Sequence, residues 1–156
     1  MPKDLAPIEK SLSVPLDPDA AFTLFTARMA SWWPLDSFSM TAQIQGEPAA
    51  DVTVEPHEGG KIYETLPDGS TAEWATITDW TPGARLAFDW YVGRDPGEAT
   101  RVAVTFLPEG NGTRVELVHD GFDRLSDGVE LHGNYDSGWT LVFSTRFGGA
   151  ALARAA

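Results

Sequence analysis

The 156-residue sequence contains no cysteine, which excludes disulfides, thiolate metal sites and a cysteine nucleophile. Basic residues are scarce: 11 Lys and Arg stand against 23 Asp and Glu, a formal charge of −12, and no Lys/Arg cluster breaks the acidic balance. Nucleic acid and anionic membrane surfaces both require a basic patch, so neither is an expected partner. No apolar run approaches the ~20 residues of a membrane span. The opening Met1-Pro2-Lys3-Asp4 lacks the apolar stretch of a signal peptide, and a soluble cytoplasmic protein is the expectation. The three histidines, His57, His119 and His132, lie at no metal-binding spacing, so no metal site is expected. Phosphate loops, nucleotide fingerprints and nucleophile elbows are missing as well, and no cofactor is expected. Gly110-Asn111-Gly112 reads as a turn.

What is present is a chain with 42% hydrophobic residues, long enough for one core and short for two, so a single domain is expected. Residues 8–14 alternate as an edge strand. Asp17-Pro18-Asp19 is a helix start: Asp17 can cap free amides, Pro18 suits the first helical position, and Asp19 favours the positive end of the dipole. Phe22, Phe25 and Met29 follow at helical spacing, and Pro34 stops that helix. Residues 35–50 have no clear period and read as a long connection over a pocket mouth. Strand-like segments follow at 51–55, 61–66, 71–80, 85–91, 100–106 and 112–119, separated by Pro/Gly turns. From about residue 132 the pattern is helical again, with Tyr135, Trp139, Val142 or Phe143, and Arg146 along one side. Consecutive hairpins without helical crossovers make this α+β: a curved antiparallel β-sheet wrapped around a long C-terminal α-helix.

Strand pairing predicts faces. A symmetric 80–85 connection sets Ile77 opposite Phe88 and Ala75 opposite Trp90. The turn at 108–112 sets Phe106 against Val115, Val104 against Leu117 and Val102 against His119. Leu86, Phe88, Trp90, Val102, Val104, Phe106, Val115 and Leu117 then share one concave, core-forming face. At one end of it the row Ala75, Trp90, Val102, His119 turns from aliphatic to aromatic and polar, and a site is expected there.

The segments Gly59-Gly60-Lys61-Ile62-Tyr63-Glu64, Glu73-Trp74-Ala75-Thr76-Ile77, residues 80–90, Thr105-Phe106-Leu107-Pro108, residues 112–119 and Gly138-Trp139 resemble the START-like (SRPBCC, helix-grip) superfamily. Within it they resemble the branch named after the activator of the heat-shock-protein ATPase. The resemblance spans about residues 8–148, the core of one START-like domain over 1–156. It implies the helix-grip fold and a cavity between sheet and C-terminal helix. This fold serves ligand binders, cyclases, lipid carriers and chaperone cofactors alike, so it implies no single activity. Ala75 departs from the glycine of many relatives.

The expected cavity lining is Trp33, Phe38, Glu64, Phe88, Trp90, His119, Tyr135 and Trp139. The aromatics are either core filler or the walls of a site for a flat apolar ligand with one or two hydrogen bonds. His119 is either a proton-transfer or ligand-bonding group or a histidine tied to a backbone carbonyl. Glu64 is expected on the concave side beside Glu73, either as a pair holding a cation or moving a proton, or extending past the core into water. The same register puts Tyr63, Trp74 and Tyr91 in a row on the convex face, with Trp80 further along. Such a row implies a covering partner, most simply a homodimer, unless the register is off by one and the faces exchange. Three functions fit: binding of a small hydrophobic or aromatic ligand; a cyclase or hydrolase using His119; and a protein-interaction module using the convex face.

Overall fold

In the computed structural model, which describes residues 6–155, seven strands form one antiparallel sheet in the order β1-β7-β6-β5-β4-β3-β2. They are β1 (Ile8–Val14), β2 (Asp51–Val54), β3 (Lys61–Thr65), β4 (Thr71–Thr81), β5 (Arg85–Trp90), β6 (Thr100–Glu109) and β7 (Gly112–Asp120). The chain belongs to the α+β class of helix-grip folds: the sheet curls around a long C-terminal helix. Residues 1–5, with the opening tetrapeptide, lie outside the described part. No helix among the described residues is long and apolar enough to cross a membrane.

Between β1 and β2 the chain crosses the concave side. Helix α1 (Pro18–Phe25) starts as its sequence dictates, with Ala20 N donating to Asp17 Oδ1 at 2.7 Å and Pro18 in the first turn. It ends at Phe25, earlier than the apolar spacing implied, and Met29 packs inward from a separate turn at Met29–Ser31. The connection after Pro34 carries a short helix that periodicity did not reveal, α2 (Met40–Gln45). Ser39 caps its start by accepting from Ala42 N at 3.0 Å, and Gly46 closes it in the left-handed conformation (φ 72°).

The C-terminal helix begins at Gly128 and runs without interruption through α3 (Gly128–Trp139), a wide i→i+5 stretch (Thr140–Phe147) and α4 (Gly148–Ala155). The stretch moves the buried stripe by one residue. Phe143 and Phe147 are buried and stacked at 5.8 Å, while Arg146, expected on the inner side, faces solvent. A wider turn advances each side chain less far around the axis, so 3.6-residue counting loses the face there.

The pairings Ile77–Phe88, Ala75–Trp90, Phe106–Val115, Val104–Leu117 and Val102–His119 are all present. The eight residues of the concave face are buried at 5% exposure or less. Two bulges in β4 change the rest. The turn after β3 takes in Leu66, so Thr65 pairs Thr71, Glu64 pairs Ala72 and Tyr63 pairs Glu73. Trp74 is then the extra residue before Ile62 pairs Ala75, and it turns inward beside Ala75. A second bulge at Thr78 leaves Trp80 opposite Leu86.

Candidate functional site

A pocket of about 430 Å³ opens where the sheet end carrying Trp74 and Trp90 meets α3 and the 33–39 crossing. Its sheet wall is the pair Trp74 and Trp90, with ring centres 5.8 Å apart. Helix α3 supplies Leu131, Tyr135, Gly138 and Trp139, one face at i, i+4, i+7 and i+8. The crossing adds Trp33, Phe38 and Ser39, and the turn after β5 adds Val92, Gly93 and Arg94 at the mouth. Trp33 lies at the centre of this cluster, 5.0 Å from Trp74 and 6.0 Å from both Trp90 and Trp139.

Each of the four lining tryptophans donates its indole N–H to the protein. Trp33 Nε1 donates to the Phe38 carbonyl at 2.8 Å, Trp74 Nε1 to Glu64 Oε1 at 2.7 Å, Trp90 Nε1 to Tyr135 Oη at 2.6 Å and Trp139 Nε1 to His119 Nδ1 at 3.0 Å. An indole has one donor and no acceptor, so these rings offer a ligand their faces and edges and no hydrogen bond. The walls are preorganised aromatic surface.

Behind the walls sits a layer of buried polar groups that hold them in place. Glu64, fully buried on β3, accepts from Trp74 on one oxygen; on the other it accepts from Thr41 N (2.9 Å) and Thr41 Oγ1 (2.6 Å) at the start of α2. It therefore joins the sheet wall to the crossing. The expected Glu64–Glu73 pair does not form: the shifted turn sends Glu73 to the convex side, where it accepts from Tyr91 Oη at 2.9 Å.

His119, also fully buried, accepts from Trp139 at Nδ1; Nε2 therefore carries the proton and donates to Thr100 Oγ1 at 2.7 Å. Burial lowers its pKa to about 3, with the charge of His132 as the lesser cause. The imidazole stays neutral near pH 7 with both nitrogens engaged, so it suits holding Trp139 better than exchanging protons with a ligand.

Of the eight residues expected to line the cavity, Trp33, Phe38, Trp90, Tyr135 and Trp139 do so. Glu64 and His119 stand one layer back, and Phe88 packs behind Trp90 with ring centres 5.6 Å apart. Sequence reasoning missed Trp74, Ser39, Arg94 and Gly138. The Pro/Gly turns flanking β4 were a signal for Trp74, since an extra residue in either turn reverses its face. Arg94 bonds Asp127 and lies 4.0 Å from Glu98; the guanidinium holds the Asp127 carboxyl below the usual carboxylate range. It ties the mouth loop to the start of α3.

The expected row of four aromatics on the convex face does not form. Trp74 lies fully buried on the concave side, and Trp80 turns inward to meet Phe22 edge-on at 5.0 Å. Each is displaced by one of the two bulges in β4. Only Tyr63 and Tyr91 remain of the four residues expected there. Tyr91 is 3% exposed, with its hydroxyl 2.9 Å from Thr76 Oγ1. The bulges remove two of the four aromatics that made a covering partner necessary.

A family model described as "Activator of Hsp90 ATPase homolog 1-like protein" matches residues 16–148. No curated protein matches the chain. Among solved structures, an anthrahydroquino-γ-pyrone synthase, Txn09, is similar at 32% identity and TM-score 0.64, over 96% of this chain and 99% of that one. CalU16 from Micromonospora echinospora is similar at 18% identity and TM-score 0.61, over 96% of this chain and 74% of that one. The Aha1 dimer from Colwellia psychrerythraea is similar at 12% identity and TM-score 0.64, over 90% and 92%. The last two likenesses concern the fold alone.

Proposed function

We propose, from the premise that this chain belongs to the Activator of Hsp90 ATPase homolog 1-like family, that its pocket binds a flat aromatic small molecule. The observation that carries the reading is the set of four tryptophans whose N–H groups are all bonded within the protein, lining about 430 Å³ between sheet and helix. That volume lies within the usual range of ligand sites, and ring faces held this way favour stacking over hydrogen bonding. The pyrone synthase, 32% identical, by its name forms a fused-ring aromatic product, which supports the same ligand class here.

Gly138 supplies the test. It lies on α3 at the pocket wall, and a Cβ there would meet only Phe38 Cε1, at 3.5 Å. Gly138→Leu fills the pocket from an ordinary helical position and removes a helix-destabilising glycine. The wild type should gain thermal stability with a fused-ring aromatic acid by RT ln(1 + [L]/Kd), about 2.7 kcal/mol at a hundredfold excess over Kd. That corresponds to a Tm rise of roughly 5–11 °C at this size. Gly138→Leu should fold and show no rise; an equal rise in the variant sinks the reading.

The identity with the synthase also favours a second reading, ring closure on the bound aromatic. Mass spectrometry for a ligand lighter by one water, or isomerised, after incubation separates the two. In that reading the proton-handling group facing the ligand is Tyr135, since His119 has both nitrogens engaged.

A further inference from the structure

Among the described residues, Tyr135 is the interior group of the pocket wall whose hydrogen no acceptor takes. Its Oη receives the N–H of Trp90 at 2.6 Å, and because an indole can only donate, the phenol oxygen must be the acceptor. The phenol's own O–H therefore points elsewhere, and among the described residues no acceptor receives it. The other polar groups of the lining differ. Ser39 Oγ donates to the Leu35 carbonyl at 2.8 Å and accepts from Ala42 N at 3.0 Å, so both its roles are filled. Arg94 sits at the mouth on Asp127, and Asn134 is exposed at the rim.

The ring of Tyr135 is fixed on several sides. It packs at 4.9 Å from His119, 6.3 Å from Phe122 and 6.3 Å from Trp90, which confines its hydroxyl to the pocket side of α3. Burial also raises its pKa above the ordinary tyrosine value, so the hydroxyl keeps its proton at neutral pH. Accepting the Trp90 N–H polarises the O–H further and makes it a better donor.

We infer that Tyr135 is a specificity-determining residue of this pocket: its O–H donates to an oxygen of the ligand, so the pocket selects fused-ring aromatics bearing a carbonyl over all-carbon rings of the same shape. This rests on the reading of the pocket as an aromatic-ligand site and names the ligand class more narrowly. A carbonyl at the ring system's edge fits, because the tryptophans clasp faces and edges while Tyr135 approaches from the helix.

The test uses two probes of matched outline on the full chain, 9,10-anthraquinone-2-carboxylate and anthracene-2-carboxylate, titrated by tryptophan fluorescence quenching. The wild type should bind the quinone about tenfold more tightly, the value of one hydrogen bond in a water-poor site. Tyr135→Phe keeps the ring and removes the donor. It should lose that tenfold preference while keeping its affinity for the anthracene, which also shows that the variant folds. An unchanged quinone preference in Tyr135→Phe, or an equal loss for both probes, overturns the assignment. Failure of both probes to bind the wild type overturns the pocket reading itself, and the two failures are told apart by that first titration.

Discussion

Lowering the pH should destabilise this protein through His119 by an amount its surroundings define. The imidazole is fully buried, Nδ1 accepts from Trp139 and Nε2 donates to Thr100. A second proton would have to displace the Trp139 N–H and place a charge among Phe122, Tyr135 and Trp139, with no carboxylate bonded to the ring. The folded pKa is therefore lowered from 6.5 to about 3. The sign follows from linkage. Between those values the unfolded chain binds a proton that the folded chain refuses, so stability is full above pH 6.5 and falls as the pH drops. At ~1.4 kcal/mol per pH unit, the loss is about 2 kcal/mol by pH 5 and approaches roughly 5 kcal/mol near pH 3. Urea denaturation at pH 7, 6 and 5, for wild type and His119→Gln, isolates this effect, because the 23 carboxylates titrate in both. The variant should be less stable at pH 7, where Trp139 and Thr100 lose their partner, yet flatter in pH by about 2 kcal/mol over the interval. Parallel curves for the two proteins, or an imidazole NMR titration centred near the ordinary histidine value, would refute the reasoning.

Two further changes probe what holds the pocket. Glu64→Leu leaves the N–H of Trp74 and both the N–H and O–H of Thr41 without their buried acceptor, which should cost about 3 kcal/mol or more. Equilibrium unfolding should register this together with a changed near-UV dichroism from Trp74; a loss under about 1 kcal/mol would mean that the crossing is not tied through this carboxyl. Gly112→Ala places a Cβ 2.2 Å from the Val14 carbonyl oxygen, a backbone atom with no freedom to give way locally. The β1–β7 pair must separate, at about 3 kcal/mol, the upper end of overpacking costs. A Tm within about 2 °C of wild type would contradict the close approach.

The way the site was and was not legible follows from where local rules bind. Pairings across the Pro82-Gly83 and Asn111-Gly112 turns could be read from parity, and so Trp90 and His119 were placed on the correct face. Parity, however, is carried faithfully only through an unbroken ladder. Each bulge in β4 inserts one residue, so faces counted outward from the correctly paired Ala75 and Ile77 invert at Trp74 on one side and past Thr78 on the other. Trp74 is itself the residue inserted by the first bulge, so parity counted from Ala75 puts it on the outer surface, when it is a wall of the pocket and the residue that Glu64 grips. The same shift accounts for the expected Glu64–Glu73 neighbourhood: with Trp74 facing out and Glu73 facing in, a second carboxyl stands where the structure places the Trp74 donor. The wide turn at Thr140–Phe147 is the helical counterpart, exchanging Arg146 for Phe147 on the buried stripe. Both irregularities adjoin the pocket: the β4 bulge turns Trp74 into its wall, and the wide helical stretch begins directly after Trp139 and carries Val142. A uniform sheet and a uniform helix would bury every large side chain they could. Here one departure from uniformity turns an additional indole inward and the other begins directly after Trp139, so the hollow lies beside both.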